Sequence, residues 1–308
     1  MNRFVWSMAL GVSGCHLNSS LPDEVGDSRP LDARADSRAD ARGDASADAS
    51  ADARDGVQIC LDGSSGAGTS IALSAFDTLS AATVEFWYRS ADAATPAAAH
   101  AQLIYFHPAA YVGGNYPSLG LEIADASALA MAPLTGRVVA VGVDARGGPQ
   151  NELNARGFAV ATTAPGFDEK SRHHYAAVFD GSVQRLFVDG SEITSTHQRD
   201  GSEATSFDSA FGAGFTGTYG PLYMSIGYFA RDGIRFARGG FSDVRVSSIA
   251  RYTTNFTPVF PATKDANTIL LLPITEDTGS TSLDQGGSAY DVSWTGGFSW
   301  AKLSVACP

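Results

Sequence analysis

The chain has 308 residues, of which 44% are hydrophobic, and this is enough for one large or two medium folded domains. Its formal net charge of −12 argues against a nucleic-acid partner, because phosphate binding requires a basic face. No apolar run approaches the roughly 20 residues that a membrane-spanning helix needs.

The N-terminus is typical of an export signal that ends in a lipidation site. Arg3 supplies a positive charge, and residues 4–12 form a short apolar stretch. The letters VSGC, which end at Cys15, resemble the lipobox of bacterial lipoproteins, in which the cysteine is diacylated and becomes the new N-terminus. We therefore predict a signal peptide over residues 1–14 and a lipid on Cys15; the alternative is an ordinary secretory signal with an incidental cysteine. His16 in place of aspartate favours the outer membrane of the cell envelope.

Residues 15–56 are predicted to be a disordered linker that begins at the lipidated cysteine. Aspartate recurs at every fourth position from Asp32 to Asp52, with alanine, serine and arginine between. On a helix this spacing would stack like charges on one face, and Leu31 is the only large apolar residue between Val25 and Val57. A solvated spacer is therefore expected; metal binding or protein docking by the repeat is the alternative.

Residues 57–308 are expected to form many short β-strands. Aromatic, β-branched and glycine residues occur together there, and turn residues recur about every ten positions. No run of a dozen residues sustains an apolar repeat at helical spacing. Short strands without intervening helices predict an all-β sandwich or barrel, and about 250 residues suit one sandwich of a dozen or more strands.

Two adjacent histidines, His173 and His174, raise the question of a catalytic or metal-binding cluster. They begin a predicted strand that ends at Phe179, and the Asp180-Gly181 pair after it suits a tight hairpin turn. Successive strand residues point to opposite faces of a sheet, so the two imidazoles cannot converge on one ion or one substrate atom. Both histidines are therefore expected to serve the scaffold.

Four segments resemble, in order, the signature segments of laminin-G-like domains of the concanavalin A-like lectin/glucanase superfamily. They are ATVEFWYRS (82–90), RHHYAAVFDGSVQRLFVDG (172–190), GGFSDVRVSSIARYTTNFTP (239–258) and DANTILLLPI (265–274). Arg172 departs from the family pattern, in which tryptophan is common at this position. The resemblance covers nearly all of residues 57–308. It implies a jelly-roll sandwich of two curved antiparallel sheets whose first and last strands are neighbours.

The resemblance also implies a partner for two of the three cysteines. Cys60 opens the domain and Cys307 closes it, and an exported protein meets an oxidising compartment. If the terminal strands are adjacent, as in the family, these two cysteines form a disulfide.

The sequence shows no pair of carboxylates with the spacing that catalysis on one strand would require. Glycoside hydrolases need two carboxylates across the scissile bond, and on one strand this requires acids at even spacing. Glu85 and Asp243 each stand alone in their strands, and Glu122 and Asp125, three apart, face opposite ways in a regular strand. We therefore expect no enzyme; a carboxylate pair from distant strands is the alternative. Glu85 and Arg245 are expected to form an ion pair or to lie on a solvated sheet face.

Binding is the function that the resemblance implies, because relatives hold ligands at rim loops or in the concave face, sometimes with calcium. Two glycine-rich segments offer side chains that suit stacking and hydrogen bonding to sugars. The candidates are Tyr111, Asn115 and Tyr116 in the first segment and Phe215, Tyr219 and Tyr223 in the second. Packing of these rings onto the sandwich is the alternative interpretation.

Calcium is the weakest of the ligand hypotheses. Three aspartates of the domain offer oxygen ligands, although no recognised calcium-binding spacing is present. They are Asp125, Asp144 and Asp232.

Three functions therefore stand. The first, which we expect, is a non-catalytic lectin-like module for polysaccharide or a surface protein, attached to the membrane only through its N-terminal lipid. The second is a polysaccharide-cleaving hydrolase or lyase of the same fold. The third is a structural envelope module that serves assembly or adhesion.

Overall fold

The computed structural model describes residues 56–73, 79, 81–91, 100–108, 118–125, 137–144, 158–162, 168–179, 184–193, 222–228 and 235–308. They belong to a unit that runs from Ala53 to Pro308, and residues 1–52 form a separate unit. The predictions for the signal peptide, Cys15 and the linker lie outside the described residues.

The described residues form β-strands joined by turns and irregular segments, and no helix among them is long and apolar enough to cross a membrane. The strands are β1 (Val57–Asp62), β2 (Thr69–Ala72), β3 (Ala82–Ser90), β4 (His100–Pro108), β5 (Ser118–Asp125), β6 (Arg137–Asp144), β7 (Phe158–Thr162), β8 (His173–Phe179), β9 (Gln184–Val188), β10 (Ser191–Glu192), β11 (Leu222–Ile226), β12 (Arg238–Ser247), β13 (Thr268–Leu272), β14 (Thr281–Ser282), β15 (Val292–Ser293) and β16 (Phe298–Lys302).

Two antiparallel sheets enclose one hydrophobic core. The larger sheet has eight strands in the order β10-β9-β8-β3-β12-β1-β16, with β13 also paired to β12. The smaller sheet has six strands in the order β2-β11-β4-β5-β6-β7, and β14 and β15 form a separate ribbon. The first strand is paired with the last, β16, as the resemblance implied. The all-β sandwich predicted from the sequence is confirmed.

Alternation along the strands decides which side chains enter the core. In β3 the residues Ala82, Val84, Phe86 and Tyr88 are buried between the sheets, and the residues between them point away from the core. The rings of Phe86 and Tyr88 lie 5.8 and 4.6 Å from the ring of Phe241 on β12. The smaller sheet supplies the opposite wall through Ile71, Phe106, Leu121, Ile123, Met224 and Ile226.

Residues 249–263, here named the strap, cross the outer face of the larger sheet. Tyr252 and Phe256 of the strap stack with ring centroids 3.5 Å apart, and both rings contact Phe187 of β9. The Phe256 N–H donates to the Gly190 carbonyl at 2.9 Å. Gly190 has a φ of 75°, and a Cβ atom there would overlap the Phe256 carbonyl oxygen, so the strap requires glycine at this position.

The C-terminal segment is fastened to the first strand. Cys60 of β1 and Cys307 form a disulfide with their Cα atoms 5.4 Å apart, so the pairing implied by the resemblance is confirmed. Gln58 Nε2 donates hydrogen bonds to the carbonyl oxygens of Lys302 and Val305 at 3.2 and 2.6 Å. A covalent bond and two hydrogen bonds therefore hold the end of the chain against β1.

Removal of the disulfide is expected to lower the free energy of unfolding by up to about 5 kcal/mol. The two cysteines are 247 residues apart, so the bond restricts a long loop of the unfolded chain. Urea denaturation of Cys307→Ser and of the reduced protein, both in a Cys15→Ser background, measures the loss. As a control, the native unreduced Cys15→Ser protein should show no reactive thiol, and two reactive thiols would contradict the pairing.

Candidate functional site

The two adjacent histidines bind different partners. His173 Nδ1 lies 2.6 Å from Asp189 Oδ2, and its Nε2 lies 2.8 Å from the Asp168 carbonyl oxygen. His174 Nε2 instead lies 3.2 Å from Glu85 Oε2 beneath the strap. The two imidazoles therefore do not converge on one point, as the strand geometry predicts, and both side chains bond to the scaffold.

Glu85 is the centre of a buried polar cluster and is only 3% exposed. Arg245 Nε donates to Glu85 Oε1 at 2.6 Å, and the Tyr252 hydroxyl donates to Oε2 at 2.8 Å. Arg245 also donates to the Thr263 carbonyl oxygen at 2.9 Å, which connects it to the end of the strap. Of the two interpretations for Glu85 and Arg245, the ion pair is the one that the structure shows.

The electrostatics of this cluster exclude Glu85 as an acid–base group near neutral pH. Burial by itself raises the pKa of Glu85, but the hydrogen bonds from His174 and Arg245 outweigh it and hold the pKa at about 2. Burial, together with the neighbouring Glu85 carboxylate, raises the pKa of Tyr252 above its usual value. Glu85 is therefore an anion and Tyr252 a neutral donor, and the cluster fastens the strap to the sheet.

Asp243 is a second buried carboxyl group under the strap, and it is 1% exposed. It has a φ of 55° and lies in β12 where the register with β3 shifts between Ser242 and Arg245. Its Oδ2 accepts a hydrogen bond from the Ala262 N–H, and its Oδ1 has no hydrogen-bond partner among the described residues. Burial raises its pKa to about 6; the Glu85 charge adds to this, and the Ala262 bond opposes it.

The outer face of the smaller sheet carries a different arrangement, a row of stacked rings. Tyr223 of β11 is paired with His107 of β4, and their rings lie 5.8 Å apart at an angle of 17°. Tyr105 continues the stack, 5.4 Å from His107 at 19°. Tyr105 and His107 are buried and Tyr223 is half-buried. We call these three side chains the aromatic row.

A bulge in β4 places two of these rings on the outer face. The pairing of β4 with β5 shifts between Gln102 and Ile104, so that Leu103 and Ile104 both face the core. Tyr105 and every second residue after it then point outward. Gln102 Nε2 stabilises the bulge by donating to the carbonyl oxygens of Ile104 and Leu121 at 3.0 and 3.1 Å.

Hydroxyl groups connect the aromatic row to the exposed edge of the sheet. His107 Nε2 lies 3.2 Å from the buried Ser225 Oγ, which in turn lies 3.4 Å from Ser70 Oγ. Ser70 belongs to β2, the edge strand, and is exposed. The half-buried ring of Tyr223 and the hydroxyl of Ser70 therefore lie on the same side of the sheet edge.

The sequence-predicted ligand residues are placed only in part. Tyr223 lies in the aromatic row; the other five, Tyr111, Asn115, Tyr116, Phe215 and Tyr219, lie outside the described residues. The first three of these residues follow β4, and the last two precede β11. Because Pro108, the last residue of β4, is paired with Leu222, the first residue of β11, both segments leave the smaller sheet at the same end. Sequence reasoning missed Tyr105 and His107, because only the bulge and the pairing with β11 bring them beside Tyr223.

The proposed calcium ligands are not brought together. Asp125 is paired with Arg137 and Asp144 with Ser118, so the two aspartates lie at opposite ends of the β5–β6 pair, about 24 Å apart along the strands. Asp232 lies outside the described residues. Within the described part of the chain no three His, Cys, Asp or Glu side chains form a group that could hold a metal ion.

Solved structures to which this chain is similar include proteins of three different organisms. A proposed carbohydrate-binding protein of Bacteroides ovatus is 17% identical with a TM-score of 0.50, covering 82% of this chain and 61% of that one. A heptameric pentraxin of Limulus polyphemus is 12% identical with a TM-score of 0.45, covering 80% and 95%. Domains LG4-5 of the mouse laminin alpha1 chain are 12% identical with a TM-score of 0.39, covering 67% and 45%.

The chain has the concanavalin A-like jelly-roll fold. The identities are low, so the likeness concerns the fold alone, and the chain spans about three fifths of the Bacteroides ovatus protein. No protein-family model and no curated protein matches the sequence. The jelly roll places the strap on the outside of one sheet and the aromatic row on the outside of the other.

Glu85→Gln is expected to lower the free energy of unfolding by about 3 kcal/mol at pH 7, because it leaves the Arg245 guanidinium buried without its counter-charge. In the wild type this stabilisation should be present above about pH 4.5 and decline as the pH falls towards 2, since the folded-state pKa is depressed. Urea denaturation at pH 7 and pH 3 measures both effects.

Glu192→Gln is the matched control for Glu85→Gln. Glu192 and Arg185 form an ion pair at 2.8 Å in which both side chains are 26% exposed, and such a pair contributes less than about 1 kcal/mol. If Glu85→Gln and Glu192→Gln lower the free energy of unfolding by equal amounts, Glu85 does not have the central role given to it here.

Asp243→Asn is expected to stabilise the protein by about 3 kcal/mol at pH 7 and to have little effect below pH 4. The raised pKa means that the wild type loses stability as the pH rises from about 4 to 6 and stays at the lower level above pH 6. Asparagine keeps the acceptor for the Ala262 N–H and tolerates the positive φ. Thermal unfolding between pH 4 and 8 tests this, and an unchanged pH dependence in the variant would refute it.

Proposed function

We propose that this chain is a non-catalytic carbohydrate-binding protein whose ligand lies against the aromatic row. The observation that carries the proposal is the half-buried ring of Tyr223, which is backed by the buried rings of His107 and Tyr105. Because Tyr223 is already packed against His107, its side chain loses little conformational entropy when a ligand stacks on it. The entropic cost of binding is therefore small.

The chemistry of the row suits a sugar. The C–H face of a pyranose ring is apolar and covers an aromatic ring, and its hydroxyl groups require hydrogen-bond partners at the edge. Tyr223 offers the ring, and Ser70 offers an exposed hydroxyl whose position is supported by Ser225. Small-ligand sites usually combine aromatic side chains with a few oriented polar groups.

The carboxylates that the structure describes support binding rather than hydrolysis. Glycosidic cleavage needs an acid and a second carboxylate on either side of the bond. Glu85 is buried and ion-paired under the strap, on the other sheet from the row. Glu122 is buried on β5, 4.0 Å from the Arg235 guanidinium. The likeness to a proposed carbohydrate-binding protein of Bacteroides ovatus agrees with this choice.

We also propose a location for the protein. Cys15 would carry a lipid that anchors the chain in the bacterial envelope, and residues 15–56 would connect this anchor to the jelly roll. A surface-displayed binding module of this kind would serve recognition or adhesion to polysaccharide. Metabolic labelling with a radioactive fatty acid, compared between the wild type and Cys15→Ser, tests the anchor independently of ligand binding.

Tyr223→Ala is expected to reduce glycan affinity at least about tenfold, because the loss of a stacked ring removes more than about 1.4 kcal/mol of contact. A glycan array identifies the ligand, and titration calorimetry then measures the affinity of each variant. Release of reducing ends from the same polysaccharides would instead show an enzyme.

Tyr228→Ala is the matched control. Tyr228 is also half-buried and stacks on Phe236 with centroids 5.9 Å apart, but it follows the opposite end of β11. Its removal should leave glycan affinity unchanged. If Tyr223→Ala and Tyr228→Ala bind equally well, the ligand does not use the aromatic row.

A further inference from the structure

Three segments of the chain meet at the point where the described domain begins. The Leu303 N–H donates to the Gly56 carbonyl at 2.8 Å. A Cβ atom on Gly56 would lie 2.5 Å from Leu303 Cδ1 and 3.8 Å from Phe260 Cζ, so the strap and the C-terminal segment both touch this first residue. We call Val259, Phe260, Leu303 and Val305 the apolar ridge.

The ridge contains two strongly exposed apolar side chains. Val259 is 68% exposed and Val305 is 52% exposed, and they flank the half-buried Phe260 and Leu303. A single exposed valine is ordinary on a protein surface. Several apolar side chains that adjoin one junction form a patch, and such patches mark interaction sites.

Three cationic side chains adjoin the ridge. Arg89 donates to the Val305 carbonyl, the Arg172 guanidinium lies 4.5 Å from the Phe260 ring centroid, and Lys302 is exposed beside Leu303. Segments 56–61, 87–91, 256–262 and 298–308 contain no acidic side chain, whereas the segment that carries Arg172 also contains Asp168 and the buried Glu169. The charged side chains of these four segments are therefore all positive, although residues 57–308 carry a net charge of −8.

We propose that the apolar ridge docks on the surface of an anionic lipid bilayer. Val259 and Val305 enter the headgroup region, and Arg89 and Lys302 lie against the lipid phosphates. An apolar contact flanked by cations is the combination that binds peripheral proteins to such surfaces, with each cation contributing about a fivefold gain in partitioning.

The position of the ridge in the chain favours a membrane over other partners. The residues that precede Gly56 join the domain at the ridge, and they include Cys15, the predicted lipid anchor. An anchored chain keeps the bilayer at high effective concentration, so a weak docking surface is sufficient. The proposal does not depend on glycan binding, but the choice of a membrane over other partners uses the predicted lipid on Cys15.

Vesicle co-sedimentation tests the proposal with residues 16–308, which lack the predicted signal peptide and Cys15. The wild type should bind vesicles of equal parts phosphatidylglycerol and phosphatidylcholine and bind phosphatidylcholine alone much less. The double variant Val259→Asp/Val305→Asp should lower the partition coefficient at least about tenfold, since it replaces two apolar contacts by like charges. Lys302→Glu should lower it about fivefold or more.

Leu283→Asp is the matched control, because Leu283 is 55% exposed but follows β14 and belongs to none of the segments that form the ridge. Thermal unfolding of each variant shows that the domain still folds. Absence of wild-type binding to anionic vesicles, or equal losses in the ridge and Leu283 variants, would overturn the proposal. Binding of the ridge to a soluble acidic polysaccharide in preference to vesicles would also overturn it.

Discussion

The outer face of the larger sheet depends on one buried anion, Glu85. A carboxylate at this depth is costly to desolvate, and it is retained because three donors from three different segments converge on its two oxygens. His174 belongs to the neighbouring strand, Arg245 to the strand on the other side, and Tyr252 to the strap. The charge therefore fixes the strap across three strands, and the stacked rings of Tyr252 and Phe256 can then cover Phe187.

The same constraint explains why the histidine doublet is not a site. In an extended strand the side chains of His173 and His174 must separate, and each then needs its own partner. His174 completes the shell of Glu85, and His173 bonds Asp189 in the turn that Gly190 continues. A sequence feature that suggests catalysis is thus accounted for by two separate structural contacts on opposite sides of one strand.

The sequence was sufficient for the fold and insufficient for most of the candidate site. Strand periodicity, the Asp-Gly turn and the four family-like segments predict the sandwich, and the adjacency of first and last strands predicts the bond between Cys60 and Cys307. The aromatic row depends instead on the bulge at Gln102, which changes the side of the sheet that Tyr105 and His107 face. A one-residue shift of this kind leaves no signal in an alternating pattern, and the pairing of β4 with the distant β11 cannot be deduced from spacing.

The two proposals use opposite sides of one sandwich. The aromatic row lies on the outer face of the smaller sheet, whereas the apolar ridge is formed by the strap and the C-terminal segment on the side of the larger sheet. The hydrophobic core between the two sheets separates the two surfaces. A jelly roll that rests on lipid through the ridge would therefore turn the row outward. The disulfide between Cys60 and Cys307 strengthens this arrangement, because it holds the ridge residues Leu303 and Val305 to the strand at which the domain begins.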